Sequence, residues 1–414
     1  MTGNTARPLE VDSGRLLADL RALSAIGAWR TGVHRPTFSP DDLSARAWFA
    51  GQLAEAGLSP EIDGIGNVIG RSPAARVLLV GSHLESQPHA GRLDGALGLL
   101  YGLAALRALG AAGREPALDI GAWADEEGWF GQFLGSRSFC GEVTEAEIDA
   151  ARHRTEATPL RTALQAAGYA ERPRAVLQPD RYLGYAEAHI EQGDWLESEG
   201  LRIGVVTAIV GSRTFLITAE GTQNHAGTTR MAIRKDAGLA LCKLAVAIDR
   251  AFPAAAGPRS VWTIGRMRFD PGEPSVIPGR AELHFQFRDA DPAVLDRLAE
   301  CLTGLIAEAN ESGPCRLALA PRSATAPAAM DTGLQGAFAG AAKALAPGAW
   351  TEMPSAAGHD AQIFARRIPA AMLFVPSIGG ISHHWAEDTS DEDIVLGARV
   401  FADGIRRILE HAEP

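Results

Sequence analysis

Short apolar segments alternate with longer segments of helical periodicity in both terminal parts of the chain, and this alternation restricts the fold to a few arrangements. The segment "VLLVGS" (77–82) has the apolar character of a strand that is buried on both faces. It leads through a glycine-containing loop into "DGALGLLYGLAALRALGAAG", a long apolar helix. "ALDIGAWA" and "AAMLFVPS" predict two further buried strands. Strands that alternate with helices in this way are typical of an α/β architecture.

For one helix, the residue at which it begins can also be predicted. In "SPDDLSARAWFAGQLAEAGL", Ser39 is a residue type that caps helix N-termini, and Pro40 suits the first helical position. Two acidic residues follow in the first turn, and apolar residues then recur at helical spacing. We therefore predict a helix that begins at Pro40.

The middle of the chain has the pattern of an antiparallel sheet. "RTFLITAEG", "SVWTIGRMRF" and "AELHFQFRD" alternate with period two, so that in the last segment one face carries Leu283, Phe285 and Phe287 and the other carries Glu282, His284, Gln286 and Arg288. Two helical patterns, at 234–252 and 292–310, lie between or after these strands. We predict a one-sided sheet with two helices on one face. This domain, residues 210–326, is inserted into a larger α/β domain formed by residues 1–209 and 327–414.

Composition and charge disfavour several classes of partner. The 414 residues carry a formal net charge of −11, which disfavours nucleic acid and anionic membrane surfaces. The N-terminal segment lacks the apolar core of a signal peptide, and no apolar segment is long enough to span a membrane. The four cysteines form no CxxC pair. We expect a cytoplasmic protein with reduced thiols and no nucleic-acid or membrane partner.

Histidines and carboxylates gather where the predicted strands end. Ligands of open α/β sheets collect beyond the carboxyl ends of strands, so several of these loops can deliver side chains to a common edge. Each residue alone also has an ordinary explanation. A single histidine after a strand is more often a hydrogen-bonded polar residue than a ligand, "DEEG" alone is usually a solvated turn, and Asp94 could merely cap a helix. The residues concerned are His83, Asp94, Asp125, Glu126, Glu127, His189 and His383.

Taken together and in order, the motifs resemble one family. They are "GSHLESQPHAGRLDGALG", "WADEEG", "HIEQG", "NHAGTT", "VIPGRAELHFQFRD", "AAGHDA" and "GGISHHWAED". They resemble the amidase, or hydantoinase/carbamoylase, branch of the M20 peptidase family, which includes N-carbamoyl-L-amino acid hydrolases, allantoate amidohydrolases and β-ureidopropionases. The resemblance covers residues 12–410. It implies a dinuclear-metal catalytic domain with an inserted α+β lid that also forms a homodimer contact.

The resemblance also implies a set of metal ligands. Asp94 would bridge two divalent ions, because two cations roughly 3.5–4 Å apart need an anion between them, and together they lower the pKa of a shared water. Imidazole and carboxylate ligands without thiolate suit zinc, manganese, cobalt or nickel. The implied ligands are His83, Asp94, Glu127, His189 and His383.

The resemblance separates the roles of the acidic residues in "WADEEG". Adjacent residues of an extended chain point apart, so Glu126 and Glu127 cannot share one role. Glu127 would bind a metal, and Glu126 would act as general base to the water and later return the proton to the leaving nitrogen. Asp125 is either a solvated or a structural neighbour.

Substrate-binding residues are implied in the same way. Arg288 would pair with a substrate carboxylate, although it could also be a surface arginine. Gln192 offers an amide that suits a carbamoyl or ureido group. His225 would stabilise an oxyanion, within its own subunit or across a dimer, unless it only caps a local loop; Asn224 beside it is a weaker candidate.

Among the positions that depart from the family pattern, two concern residues that orient a ligand or bind substrate. Glu85 stands where an aspartate usually orients the first ligand histidine, and its extra methylene must change the geometry around that ring. Ser275 stands where the branch commonly has an asparagine that binds substrate, which leaves a shorter side chain and more room. These departures affect the substrate side chain, while every expected metal ligand is present.

The sequence therefore predicts a metal-dependent amidohydrolase. It would cleave the carbamoyl C–N bond of N-carbamoyl-L-amino acids or related ureido acids and release ammonia and carbon dioxide. An allantoate- or ureidoglycolate-type amidohydrolase is one alternative, and an N-acyl amino acid deacylase is another. A non-catalytic metal-bound ligand-binding protein is a more distant one, and it would have no need of a base such as Glu126.

Overall fold

The structure, a computed structural model, describes residues 8–412 and divides into two compact units. One unit contains the chain up to Thr207 and from Ala329 onward, and the other is Ala208–Ala328. The sequence places the inserted domain at 210–326, and its role as a lid stays a prediction. None of the helices within 8–412 has the length and apolar character needed to cross a membrane.

The helices of the described chain are numbered in order. They are α1 (Ser13–Ser24), α2 (Pro40–Glu55), α3 (Ala96–Ala111), α4 (Leu134–Phe139), α5 (Glu145–Ala150), α6 (Leu160–Ala166), α7 (Trp195–Ser198), α8 (Ala237–Ala255), α9 (Pro292–Ser312), α10 (Thr332–Leu345), α11 (Ala361–Phe364) and α12 (Asp391–Ala412). Short 3-10 helices occur at Pro179–Arg181, Met231–Ile233 and Ile378–Gly380.

The strands are numbered in the same way. They are β1 (Ala28–Trp29), β2 (Gly32–Val33), β3 (Ser59–Ile62), β4 (Val68–Arg71), β5 (Val77–His83), β6 (Leu118–Trp123), β7 (Tyr182–Ile190), β8 (Ile203–Ile209), β9 (Gly211–Glu220), β10 (Asn224–His225), β11 (Val261–Asp270), β12 (Val276–Ile277), β13 (Arg280–Asp289), β14 (Arg316–Thr325), β15 (Ala328–Ala329), β16 (Trp350–Ser355) and β17 (Ala370–Val375).

A mixed nine-stranded sheet forms the core of the first unit. Its order is β15-β8-β17-β7-β5-β6-β4-β3, with β16 paired to β8. The central strands β17, β7, β5 and β6 are parallel, whereas β8, β4 and β3 pair antiparallel to their neighbours. All residues of β5, β6 and β17 are buried, which confirms that the three apolar segments are strands covered on both faces. The predicted α/β class is confirmed.

Helices cover this sheet. The long helix α3 packs on β5, β6 and β7, and α12 packs on α3 and α10. Helix α2 begins at Pro40, and the Ser39 hydroxyl accepts the backbone N–H of Asp42 at 3.3 Å. The predicted helix start is therefore confirmed, and α2 buries Phe49 and Leu53 against the core.

The second unit contains a four-stranded antiparallel sheet of order β11-β13-β9-β14. On β13, Leu283, Phe285 and Phe287 are fully buried, while the residues between them are half-buried. Helices α8 and α9 pack on β13 and β9 and on each other. The predicted one-sided sheet with two covering helices is confirmed. A separate pair, β10 and β12, brings His225 opposite Val276.

Candidate active site

The carboxyl edge of the central parallel strands brings three expected ligands together. His83 is the last residue of β5, His189 lies near the end of the adjacent strand β7, and Asp94 comes shortly before α3. The Asp94 Oδ1 atom lies 3.5 Å from His83 Nε2 and 3.1 Å from His189 Nε2. All three side chains are buried. Parallel strands that end at one edge thus place a carboxylate between two imidazoles.

The second oxygen of Asp94 faces the remaining ligands. Asp94 Oδ2 lies 3.4 Å from His383 Nε2, and the Glu127 Oε2 atom lies 4.0 Å from the same nitrogen. His83, Asp94 and His189 form one group with potential metal-ligand atoms within 4.8 Å of one another, and Asp94, Glu127 and His383 form another. Asp94 belongs to both groups, as a bridging carboxylate would.

The hydrogen bonds of the histidines leave the correct nitrogens for metal binding. His83 Nδ1 lies 3.0 Å from the backbone carbonyl of Glu85, and His189 Nδ1 lies 2.9 Å from that of Ile190. A carbonyl oxygen only accepts, so each Nδ1 carries a proton, and in the neutral ring each Nε2 has a lone pair. Both Nε2 atoms lie near Asp94, and that of His189 also accepts the backbone N–H of Gly95 at 3.1 Å. Backbone carbonyls commonly orient metal-binding histidines in this way.

The electrostatics of the site also fit divalent cations. Burial and the charge of Asp94 raise the pKa of Glu127 to about 8, and burial raises the pKa of Glu126 well above its usual range. Burial lowers the pKa of His83, but the carboxylates of Glu126 and Asp94 outweigh it and raise that pKa well above its usual value. The Oε1 atom of Glu127 is buried without a hydrogen-bond partner. Cations would satisfy this oxygen and offset the carboxylate repulsion, so the residues fit a metal pair.

Glu85 does not take the role that an aspartate has in the family. Its carboxylate lies 3.9 Å from His83 Nδ1, whereas its Oε1 accepts the backbone N–H of Glu126 at 2.7 Å. Its Oε2 accepts Arg46 at 2.9 Å, and Arg46 also pairs with Asp42 at 2.8 Å, all three side chains being fully buried. The longer side chain therefore holds the backbone of the expected base instead of the ring. The sequence offered only one sign of this pair, an acidic and a basic residue four positions apart in α2.

Of the two alternatives for Asp125, a solvated or a structural neighbour, the structure supports the structural one. Its carboxylate is fully buried and accepts the backbone N–H groups of Trp129, Phe130 and Gly131, together with the Thr37 hydroxyl, at 2.7–2.8 Å. Asp125 has a φ of 59°, so the backbone turns here. The carboxylate thus closes the loop that follows β6 and fixes the position of the next two residues.

Glu126 and Glu127 follow Asp125 within this turn. The two residues lie in a turn and not in an extended strand, so strand alternation is not what separates them. The two carboxylates are not far apart, because Glu126 and Glu127 also form a group with His83 whose potential ligand atoms lie within 4.8 Å of one another. Glu126 Oε2 lies 3.8 Å from His83 Nε2 and Glu127 Oε2 lies 4.0 Å from His383 Nε2, and the division of roles between them stays a prediction. Gln87 donates to Glu127 Oε2 at 2.6 Å, which leaves the Oε1 atom for a metal.

Gln192 lies at the same edge, together with two residues that sequence reasoning missed. Its Nε2 atom lies 3.3 Å from Asp94 Oδ2 and 3.0 Å from the hydroxyl of Ser382. Ser382 in turn donates to Glu387, which is buried and accepts the backbone N–H of Asp94 at 3.1 Å. One sign was available in the sequence, a glycine at position 91, where an added Cβ would overlap the Glu387 carboxylate.

The other expected substrate residues belong to the second unit. Asn224 and His225 form β10, and Ser275, exposed, precedes the paired strand β12; the Ser275 carbonyl accepts the N–H of Ala226 at 2.9 Å. Arg288 lies on the half-buried polar face of β13, where its Nε donates to Gln286 at 2.9 Å. The first unit therefore gathers Gln192 with the expected metal ligands and Glu126, whereas Asn224, His225, Ser275 and Arg288 are positioned by the second unit.

His225 is held in one tautomer. Its Nδ1 accepts the backbone N–H groups of Gly227 and Thr228 at 3.0 and 3.2 Å. A neutral ring that accepts at Nδ1 carries its proton on Nε2, so the exposed ring presents an N–H donor. The loop function and the donor function of His225 are therefore compatible.

Comparisons with known proteins identify the family of the chain. The chain is 32% identical to the N-carbamoyl-L-amino acid amidohydrolase of Geobacillus stearothermophilus over 94% of this chain and 97% of the relative. It is 32% identical to a ureidoglycolate hydrolase of Oryza sativa subsp. japonica over 97% of this chain and 86% of the relative. A crystal structure of an amidase of the hydantoinase/carbamoylase family from Burkholderia phymatum has 48% identity and a TM-score of 0.93, and the match covers 98% of this chain and 100% of that one. Residues 79–407 match the model of peptidase family M20/M25/M40, and the chain belongs to this family.

Proposed function

We propose that this protein is a metal-dependent amidohydrolase that cleaves the carbamoyl C–N bond of N-carbamoyl-L-amino acids or related ureido acids. The products from an N-carbamoyl-L-amino acid are the amino acid, ammonia and carbon dioxide. The observation that carries the proposal is the position of Asp94 between two ligand groups, with Glu126 beside one of them. The M20 family is generally dependent on two metal ions, and relatives along nearly the whole chain are amidohydrolases by name.

The metal pair is assigned to the residues at the sheet edge. His83 and His189 would hold one ion, Glu127 and His383 would hold the other, and Asp94 would be shared between them. When bound, the ions polarise the substrate carbonyl and lower the pKa of water. The nitrogen and oxygen donors suit zinc, manganese, cobalt or nickel.

Glu126 is the general base of this proposal. It accepts a proton from the attacking water and returns it to the leaving nitrogen. Its side chain is largely buried, and this burial raises its pKa well above the usual range of a carboxyl group, which makes the carboxylate a stronger base. Its backbone N–H is held by Glu85, so the carboxylate starts from a fixed position.

Five residues bind and orient the substrate. Gln192 contacts the ureido group, and the Nε2–H of His225 stabilises the charge that develops on the carbonyl oxygen. The guanidinium of Arg288 pairs with the substrate carboxylate. Asn224 and Ser275 line the same part of the second unit as His225, and the short Ser275 leaves room for the substrate side chain.

Two alternative substrates use the same machinery. The identity to the rice ureidoglycolate hydrolase is as high as that to the Geobacillus enzyme, so an allantoate- or ureidoglycolate-type substrate is the first alternative. An N-acyl amino acid is the second. A non-catalytic ligand-binding protein is disfavoured, because Glu85, Arg46 and Asp42 form a buried framework that positions Glu126, a residue without a function in binding alone.

We also propose that the second unit forms the contact of a homodimer. Strand β11 is at the edge of the four-stranded sheet and exposes Val261, Ile264 and Phe269. Helix α8 of the same unit exposes Leu239 and Val246. An unpaired edge strand beside exposed apolar side chains favours pairing with a second copy. Light scattering after size exclusion should give the mass of two chains, and the Val261→Lys/Ile264→Lys variant should give the mass of one.

The proposal of a cytoplasmic location is supported by the four free thiols.

A substrate screen tests the proposed activity. N-carbamoyl-L-amino acids with small, aliphatic and aromatic side chains are incubated with the manganese-, cobalt- or zinc-loaded enzyme beside allantoate and N-acetyl amino acids. Ammonia release reports cleavage of a carbamoyl group, and free amine reports cleavage of an acyl group. Turnover of a carbamoyl substrate above the other classes is the expected result. Turnover of allantoate or acyl substrates alone would assign one of the alternatives.

A further inference from the structure

The backbone at Gln192 is fixed by the segment that precedes His383. The Gln192 N–H donates to the Ser377 hydroxyl at 3.0 Å, and Gln192 itself has a φ of 61°. Gly380 packs so closely on the next turn that an added Cβ would lie 2.9 Å from the Cβ of Asp194. The side chain of Gln192 therefore starts from a defined position.

The amide nitrogen of Gln192 has three neighbours. Its Nε2 lies 3.0 Å from Ser382 Oγ, 3.3 Å from Asp94 Oδ2 and 3.4 Å from His383 Nε2. Asp94 and His383 belong to the proposed metal ligands, and bound ions would occupy their lone pairs. Ser382 is outside that set, so its hydroxyl decides which end of the amide faces it.

The hydroxyl of Ser382 has only one hydrogen, and this hydrogen is used elsewhere. Ser382 donates to Glu387 Oε2 at 3.0 Å, while Glu387 Oε1 accepts the backbone N–H groups of Leu93 and Asp94 at 3.2 and 3.1 Å. Toward Gln192 the hydroxyl can therefore only accept. This requires the NH₂ end of the amide to face Ser382, so that the carbonyl oxygen of Gln192 is directed away from it.

We propose that Ser382 and Glu387 are positioning residues that fix the Gln192 amide with its carbonyl oxygen toward the substrate, and that this orientation selects ureido over acyl groups. The inference rests on the proposed function and deepens it. A ureido acid carries N–H on both sides of its carbonyl carbon, whereas an N-acetyl amino acid has a methyl group on one side. A hydrogen-bond acceptor at Gln192 pairs with the terminal NH₂ of the ureido group and stays unpaired against the methyl group.

Two variants test this orientation. Ser382→Ala removes the partner that fixes the amide. Glu387→Gln is isosteric, and because its oxygen must still accept from Leu93 and Asp94, its NH₂ faces Ser382. The serine hydrogen then turns to Gln192 and favours the reversed amide. In both variants the ratio of kcat/KM for the N-carbamoyl and N-acetyl derivatives of one amino acid should fall about tenfold, the equivalent of one hydrogen bond.

Controls separate positioning from a structural effect. Ser382→Thr keeps the hydroxyl and should restore the ratio, and Ser198→Ala, which removes a hydroxyl bonded only to the nearby Trp195 carbonyl in the described structure, should not change it. A purely structural defect or lost metal lowers both rates and leaves the ratio constant, so the ratio is measured with the metal content.

The outcomes distinguish this inference from the proposed function. Failure of the wild type to cleave the carbamoyl derivative contradicts the proposed function itself. Preference of the wild type for the carbamoyl derivative, with an unchanged ratio in both variants, overturns the roles of Ser382 and Glu387 alone.

Discussion

The two units hold their expected functional residues in different ways. The first unit holds the expected metal ligands, and the second holds most of the residues expected to contact the substrate. In the first unit, His83, Asp94 and His189 are at least 97% buried and contact one another directly. In the second unit, Asn224 and His225 are exposed, belong to the short strand pair of β10 and β12, and accept backbone N–H groups through their side chains. Groups that bind metal gain from a preformed, water-poor site, whereas groups that contact substrate must remain accessible.

His383 shows that this division is not absolute within the first unit. Its side chain is 52% exposed although it faces the buried carboxylates of Asp94 and Glu127. One of the two ligand groups is therefore closed, and the other opens toward solvent, where a substrate carbonyl can reach it. Catalytic metal sites need such an open position. The comparison predicts that changes at the proposed metal ligands affect metal content, while changes in the second unit affect kinetics alone.

Removal of the metal should have the largest effect. Treatment with a chelator is expected to abolish amide hydrolysis and to lower the melting temperature, because the carboxylates at the sheet edge lose their counter-charges. Addition of manganese, cobalt or zinc should restore both. Ammonia release and thermal unfolding are measured on the same sample, with the metal content determined by mass spectrometry. Full activity of a demonstrably metal-free sample would contradict the dinuclear site.

Replacement of the proposed base should distinguish the roles of the two neighbouring glutamates, Glu126 and Glu127. Glu126→Gln is expected to lower kcat by about 10²–10⁴-fold, because proton transfer is lost, while the metal content is unchanged. Glu127→Gln is the matched control, and it should lose metal because a ligand is removed. Steady-state kinetics and metal analysis of both variants make the comparison. Normal turnover of Glu126→Gln would assign the base to another residue.

Much of this architecture could be predicted from local patterns. The burial of β5, β6 and β17 follows from their apolar composition, and the start of α2 follows from the cap at Ser39. The alternation along β13 predicted which of its residues are buried. These features depend on neighbours in sequence, which a pattern records directly.

The positions that could not be predicted depend on distant partners. Glu85 is bonded to Arg46, 39 residues away, and to the backbone of Glu126, 41 residues away. Ser382 contacts Gln192, 190 residues away, and Glu387 accepts the backbone N–H of Asp94, 293 residues away. No local pattern states which buried carboxylate meets which donor, because the tertiary fold makes that choice.

In the second unit, a smaller loss should follow from replacement of the proposed oxyanion donor. His225→Ala is expected to lower kcat by about 10²–10³-fold, because one donor to the developing charge is removed. Metal content and melting temperature should stay at wild-type values, since His225 is exposed and lies outside the ligand groups. His284→Ala, on the polar face of β13, is the matched histidine control. A variant with wild-type kcat would leave His225 with its loop contacts alone.

The smallest effect is expected at the proposed carboxylate anchor. Arg288→Lys keeps the positive charge but loses the planar fork that pairs with a carboxylate through two hydrogen bonds, so KM should rise about tenfold while kcat changes little. Arg280→Lys, on the same strand, is the control, because Arg280 pairs with Glu220 and Glu282 at the surface. The difference between wild type and Arg288→Lys should vanish for a substrate whose carboxylate is converted to an amide. An equal loss with both substrates would mean that Arg288 supports the strand and not the substrate, and an unchanged KM would place the anchor elsewhere. This substrate comparison tests whether a residue of the second unit acts on the ligand and not on the fold.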